Sequence, residues 1–430
     1  MPLKLLKPAD VTVEMIDPVV PSARDQAAAI MKDVQENGFA GLRRQAEKLG
    51  DVKEGAPLII GKAELKSAFD ALDSEEQALL ERVAGRVRSF ASAQRDSVQD
   101  VTTDIPGGKA GHHVVPMESA GCYAPGGRYP LPSSVIMTAV TARAAGVKTV
   151  WVASPRPAPV TLAAAHVAGA DALLAAGGAQ AIAALAYGVD GVPACDIIVG
   201  PGNRWVTAAK SLVAGRCAID MLAGPSECLC LCDETADPAL VARDLLAQAE
   251  HDTDAMPILV TTDATLPGRV NAEITEQLKT LTTADTARVS CDKGIAVTCS
   301  SMEEAIAISD RFAPEHLEVQ TRDSQAVADR LGHYGGLFIG PRAAEVFGDY
   351  GAGPNHVLPT GGTARYTGGL SVFSFLRIRT WMRVDDAVAS QEQVEDAARL
   401  ARLEGLEGHA RAAEARKLDA EPHAKKQRTQ

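Results

Sequence analysis

The sequence has no surplus of positive charge. Its 43 Lys and Arg stand against 55 Asp and Glu, and a net charge of −12 disfavours a polyanionic partner. Neither nucleic acid nor an anionic membrane surface is expected as a ligand. The first fifteen residues lack the apolar core of a secretory leader, and no later run is long and apolar enough to cross a bilayer, so a cytoplasmic protein is expected. The eight cysteines include no CxxC pair and no framework spacing, which excludes a disulfide scaffold and agrees with a reducing compartment. Neither GxGxxG nor HExxH occurs, so a standard dinucleotide fingerprint and the helix motif of zinc hydrolases are both missing. Aromatics are scarce, at 4%, whereas 46% of the 430 residues are hydrophobic. That aliphatic, Ala- and Gly-rich texture suits helices packed closely on parallel strands.

Periodicity supplies the elements. Behind Ser22, helical apolar spacing runs to Lys48, with a break at Gly38 and a stop at Gly50. A short strand at 57–60, a helix at 62–72 and a helix at 78–90 opened by Asp73 follow, so the first 110 residues read mainly as a helical scaffold without evident chemistry. From Val115 short apolar runs alternate with helices: strands at 149–153, 172–175 and 196–199, helices at 133–145, 159–168, 179–187 and 203–213. A second set has strands at 228–232, 257–261, 294–299, 317–320 and 336–339, with helices at 238–251, 269–281, 301–312 and 324–331. The expectation is α/β, as two units with mostly parallel sheets. After Phe373 the chain turns charged and helical, with 394–405 and 406–418 as an αα pair and 420–430 as a disordered tail. Cys228, Cys230 and Cys232 alternate with Leu229 and Leu231, which puts the three thiols on one strand face as small buried side chains. His112 and His113 point apart on an extended segment and share no metal.

The candidate chemistry gathers in a few polar stretches. Gln248 and His251, three apart near a helix end, share a face and can reach one ion, although most helical histidines are merely solvated. Glu315-His316 is expected at a sheet edge, either as a helix-end carboxylate beside a surface histidine or as a pair of bases for alcohol oxidation and water activation. Asp349 is a hard-oxygen ligand candidate, and His356 lies in the glycine-rich segment 348–362, where a mobile backbone can close over a ligand. Glu404 and His409 lie five apart, and a turn at Gly405 can bring both to one pocket. Three glycine turns precede helices: 123–130, 177–180 and 200–203. A plain turn explains each, but together at strand-to-helix junctions of one sheet they point to a nucleotide crevice, with backbone amides and helix dipoles facing phosphate.

The stretches Ile219-Asp220-Met221-Leu222-Ala223-Gly224-Pro225-Ser226-Glu227, Gln248-Ala249-Glu250-His251, Pro314-Glu315-His316-Leu317, Gly348-Asp349-Tyr350 with Asn355-His356-Val357-Leu358-Pro359, and Glu404 to His409 resemble the histidinol dehydrogenase family, in family order over nearly the whole chain. The resemblance implies a zinc-containing, NAD-dependent homodimer that oxidises L-histidinol through the aldehyde to L-histidine. It assigns one zinc per subunit to Gln248, His251, Asp349 and His409, and acid–base work to Glu315 and His316. It assigns substrate contacts to Ser226, His316, His356 and Glu404 together with the zinc ligands, and NAD contacts to Tyr123, Gln180 and Asn203. It also implies two incomplete Rossmann-like domains. The main α/β domain would comprise 19–122 and 228–371, with an NAD-binding domain at 123–227 inserted. An amino-terminal arm at 1–18 and a helical carboxyl-terminal arm at 372–430 would embrace the partner subunit, whose active site lies at the interface. The same motifs occur in relatives that oxidise other small polar alcohols such as sulfopropanediol; Arg128 and Tyr129 resemble those relatives, whereas Ser226 and Glu404 fit histidinol. A binding protein without turnover and a metal-dependent hydrolase are the rivals from other classes, disfavoured by the complete set of acid–base residues and by the glycine turns.

Overall fold

The computed structural model of the chain describes residues 3–12, 19–126 and 130–418. Gly127, Arg128 and Tyr129 of the first glycine turn, and the stretch 420–430 expected to be disordered, lie outside them. The chain forms two compact units, Met1–Arg95 with Pro116–Phe375, and Asp96–Val115 with Leu376–Gln430.

The first unit is built on two six-stranded sheets. In one, the parallel strands lie in the order Ala172–Leu174, Thr149–Ala153, Ser119–Tyr123, Ile197–Val199, Ala218–Ile219. Ile59–Gly61 adds an antiparallel edge beside Ala172–Leu174. In the other, the order is Ile295–Thr298, Met256–Thr261, Glu227–Cys232, His316–Gln320, Gly336–Ile339, with Lys4–Leu6 as a parallel edge beside Ile295–Thr298. Within each set of five parallel strands the chain adds strands to one side, then returns to the other. The direction reverses between Ser119–Tyr123 and Ile197–Val199, and again between Glu227–Cys232 and His316–Gln320. At such a point the loops leaving the carboxyl ends of two neighbouring strands diverge and leave a crevice.

Small side chains bring the layers close. The helix Gly178–Tyr187 buries every residue from Ala179 to Ala186, and Pro21–Lys48 packs on it. Pro21–Lys48 bends at Gly38, where φ is +55° and ψ −135°, a conformation closed to residues with a Cβ at little cost. Cys228, Cys230 and Cys232 enter one core with Leu245 and Val241, whereas Leu229 and Leu231 enter another with Leu317 and Val319, as the period-two pattern requires. Among the described residues no helix is long and apolar enough to cross a membrane.

The second unit corrects two expectations. Val101–Ile105 and Gly108–Pro116 form an antiparallel hairpin, not the tail of a helical scaffold. Leu376–Val384 is a strand joined to that hairpin, so the chain after Phe373 is not purely helical. The alternation Leu376, Ile378, Met382 and Val384 with Arg377, Arg379 and Arg383 is a strand pattern that its charge masked. The αα pair is present as Gln391–Leu403 and Glu407–Glu414, closed by Ala398, Ala401 and Ala410.

Candidate active site

Most candidate residues fall at two ends of the two sheets, and the first group lies at the amino-terminal end of Glu227–Cys232 and His316–Gln320. The helix Pro238–Ala249 starts from Asp237, whose Oδ1 accepts from the Ala239 amide at 2.9 Å, and runs back towards that end. It delivers Gln248, which is wholly buried with both amide atoms unpartnered. A buried amide left so costs about 1–3 kcal/mol, which marks a position waiting for a ligand. His251 lies just past the last helical turn rather than on the helix, and its Nε2 is 3.6 Å from Asp349 Oδ2. Asp349 ends the short helix Glu345–Asp349, which packs on Pro238–Ala249. The Asp349 carbonyl is 2.9 Å from His356 Nδ1.

Among the described residues no group of three or more His, Cys, Asp and Glu is assembled as a metal cluster. An amide oxygen, an imidazole and a carboxylate are nonetheless a donor set that suits a borderline dication, and the two orphaned atoms of Gln248 give that fit a structural basis. Glu404, at the end of Gln391–Leu403, and His409, in Glu407–Glu414, lie in the second unit, both exposed.

Glu315 and His316 do not sit at a sheet edge. His316 opens a strand flanked on both sides, and the pair stands at its amino-terminal end. Ala313, at φ +48°, ends the preceding helix and turns the chain into the strand. Glu315 Oε2 accepts from the Glu227 amide at 3.0 Å, and its Oε1 lies 3.9 Å from His316 Nε2. Burial holds the Glu315 carboxyl well above the usual range, helped by the charges of Glu227 and Asp349 and opposed by hydrogen bonds from the Glu227 amide and Ser226. Burial also drives His316 down to about 4, with His251 and His356 adding to the fall and Asp349 opposing it. The His316 ring is tilted against Phe338, its centroid 5.9 Å away, and its Nδ1 has no partner. Burial thus raises the proton affinity of the Glu315 carboxyl and lowers that of the His316 imidazole, which brings the two closer together and suits the pair to moving protons.

Two further carboxyls escaped the sequence reading. Glu227 is pushed up to about 7 by burial, and its Oε1 accepts from the Gly361 amide at 2.7 Å. Glu345, one turn before Asp349, is buried with both oxygens unpartnered and is also held well above the ordinary carboxylate range by burial, then by Asp349 and Glu318. Glu227 also revises the picture of a mobile loop around His356. Gly361 is tied to Glu227, the Gly224 amide donates to Thr360 Oγ1 at 2.6 Å, and Asn355 Nδ2 donates to Met137 O at 2.9 Å. The segment is thus anchored to both sheet layers.

The second group lies at the carboxyl ends of the other sheet, at its switch point. Tyr123 ends its strand, Gln180 stands in the first turn of Gly178–Tyr187, and exposed Asn203 caps Arg204–Val213 by accepting from the Trp205 and Val206 amides. The glycine turns at 177–180 and 200–203 are not open phosphate cradles, because side chains take amides in both. Gly177 N donates to Asp51 Oδ2 at 2.8 Å, Gly178 N to the Tyr123 hydroxyl at 3.2 Å, and Gly200 N to Asp220 Oδ2 at 2.7 Å. Gly200 has a φ of +118°, and a Cβ there would stand 2.0 Å from Tyr123 O, so only glycine closes this side of the crevice. Asp51 carries no motif and was assigned no chemistry from sequence; only the fold brings it to Gln180.

Residues 18–417 match the family model described as histidinol dehydrogenase. The histidinol dehydrogenase of Haloarcula marismortui is 45% identical over 92% of this chain and 93% of its own length. The sulfopropanediol 3-dehydrogenase of Ruegeria pomeroyi is 41% identical over 91% of this chain and 92% of its own length. A crystal structure of histidinol dehydrogenase from Elizabethkingia anophelis matches with a TM-score of 0.89 at 29% identity, covering 96% of this chain and 98% of that one.

Proposed function

The chain belongs to the histidinol dehydrogenase family, and we propose that it oxidises L-histidinol through L-histidinal to L-histidine, with NAD as oxidant and one zinc ion per subunit. The observation that carries this is the joint placement of Gln248, His251 and Asp349 beside Glu315 and His316 at one end of a sheet. Gln248, His251 and Asp349 would hold the zinc, with His409 carried in on the carboxyl-terminal arm of the partner subunit. Bound there, zinc supplies orientation of the imidazole and amine of the substrate, and NAD supplies the hydride acceptor.

The residues of the chain do the proton chemistry. His316 is kept neutral by burial and takes the hydroxyl proton in the first oxidation. Glu315, whose raised proton affinity makes its carboxylate a stronger base than usual, takes a proton from water in the second. Ser226, His356 and Glu404 contact the substrate. Tyr123, Gln180 and Asn203 contact NAD, in a nucleotide domain that takes in not only 123–227 but also Ile59–Gly61 and Ser119–Tyr123, which lie in the same sheet. The arms at 1–18 and 372–430 belong to a homodimer interface, and the enzyme works in the cytoplasm without nucleic acid or membrane partners.

The similarity to sulfopropanediol 3-dehydrogenase supports a second reading, in which the same site oxidises another small polar alcohol. Assay of the zinc-loaded protein with NAD and each alcohol separates them: turnover of L-histidinol, abolished by a chelator and restored by zinc, supports the first, and turnover of sulfopropanediol alone the second.

A further inference from the structure

Gln180 is 1% exposed, and its Oε1 is a buried acceptor without a partner. Its Nε2 donates to Asp51 Oδ2 at 2.6 Å, and the same oxygen accepts from the Gly177 amide at 2.8 Å. With the Asp51 carboxylate accepting from both N–H groups, a flipped Gln180 would press its carbonyl against an acceptor oxygen. The orientation of the amide is therefore set by Asp51.

Asp51 is itself held from several sides. Its amide donates to Ala46 O at 2.8 Å, and its carbonyl accepts from the Arg156 amide at 3.0 Å. Arg156, in a left-handed conformation at φ +46°, donates from Nη1 to Gly50 O at 3.2 Å and from Nη2 to Gly126 O at 3.1 Å. Gly126, Arg156 and Gly177 follow three neighbouring parallel strands, so the loops on this side of the switch point all meet at Asp51 or its immediate neighbour.

We propose that Asp51 is a positioning residue of the nucleotide site: it fixes Gln180 so that Oε1 is the free group, an acceptor for an N–H or O–H donor of NAD. This rests on the reading that Gln180 contacts NAD. The donor is either the carboxamide N–H of the nicotinamide or a ribose hydroxyl. Asp51→Ala removes the doubly accepting oxygen and frees the Gln180 amide to turn.

The test is a cycle of Asp51→Ala, Gln180→Leu and the double variant in the full-length zinc-loaded protein. The readouts are the Kd for NAD by calorimetry without alcohol, the KM for NAD, and the melting temperature. Each single variant is expected to raise the Kd about tenfold, the loss of one buried hydrogen bond. The double variant should be no weaker than the weaker single, because Asp51 acts through Gln180. A roughly hundredfold, additive loss in the double variant would overturn the proposal, as would a normal Kd in Asp51→Ala beside an impaired Gln180→Leu. A normal Kd in Gln180→Leu would instead remove the contact between Gln180 and NAD. If Asp51→Ala fails to fold, Asp51→Ser takes its place in the cycle. The NAD analogue with an acetyl group in place of the carboxamide distinguishes the donors: it loses affinity for wild type and not for Gln180→Leu if the carboxamide is read, and binds both in proportion to NAD if a ribose hydroxyl is.

Discussion

Lys210 and Asp220 form an ion pair that is almost sealed from solvent, at 3% and 0% side-chain exposure, and together they grip both backbone groups of Gly200. Lys210 Nζ donates to Gly200 O at 3.0 Å, while Asp220 Oδ2 accepts from Gly200 N at 2.7 Å. Asp220 Oδ1 also accepts from the Met221 amide at 2.7 Å, and Thr207 Oγ1 donates to Ala223 O at 3.0 Å. The loop before Asn203 is thereby fastened to the segment that leads to Ser226, which links the carboxyl end of one sheet to the amino-terminal end of the other.

Breaking this pair from one side should be costly. Lys210→Met leaves a buried carboxylate uncompensated and is expected to lower unfolding free energy by about 3–5 kcal/mol in urea, whereas Lys210→Met with Asp220→Leu should recover much of it. A loss below about 1 kcal/mol in the single variant would mean the charges are solvated and the pair is not a fastening.

Glu315→Gln should spare the first oxidation more than the second. The amide keeps the acceptor for the Glu227 N–H but takes no proton from water. Aldehyde should then accumulate, and the NADH formed per histidinol should fall from two towards one. Equal loss of both half-reactions contradicts the division of labour between Glu315 and His316.

Glu227 makes stability depend on pH. Its carboxyl rises from 4.5 to about 7 on folding, so the native state holds the proton across a window in which the unfolded chain releases it. Stability from this group is therefore lost as pH rises from 4.5 to 7, by at most roughly 3 kcal/mol. Glu227→Gln keeps an acceptor for Gly361 and should flatten that slope, melting at relatively higher temperature than wild type above pH 7 and showing no such gain near pH 4.5. Parallel pH profiles for the two proteins would place the Glu227 charge in solvent.

Much of this was legible in the sequence because it is local. Apolar runs alternating with helices marked the parallel strands, and Cys228 to Cys232 sorted to two faces by period alone. Glu315-His316, Gln248-His251 and Asp349 stood out as polar groups in short signatures. What failed was long-range. Asp51 is 129 residues from the amide it holds, and nothing near it in sequence announces the contact. The glycine turns at 177–180 and 200–203 do precede helices, but whether their amides are free depends on Asp51, Tyr123 and Asp220 arriving from elsewhere. The strand Leu376–Val384 was missed because its arginines also suit a helix and its partners lie far earlier in the chain.

The orphaned amide of Gln248 gives a metal test that needs no turnover. Gln248→Ala should lose zinc in a dialysis that leaves wild type loaded, and Gln248→Glu, which keeps an oxygen donor, should retain more. Full zinc retention by Gln248→Ala would remove Gln248 from the ligand set.

The most direct measurement is the amount of NADH formed per molecule of L-histidinol consumed to completion by the zinc-loaded protein, with sulfopropanediol run beside it. Two NADH per histidinol, with L-histidine as product, is the expected result for a site that performs both oxidations. Silence towards histidinol with turnover of sulfopropanediol would contradict it and assign the same residues to a different alcohol.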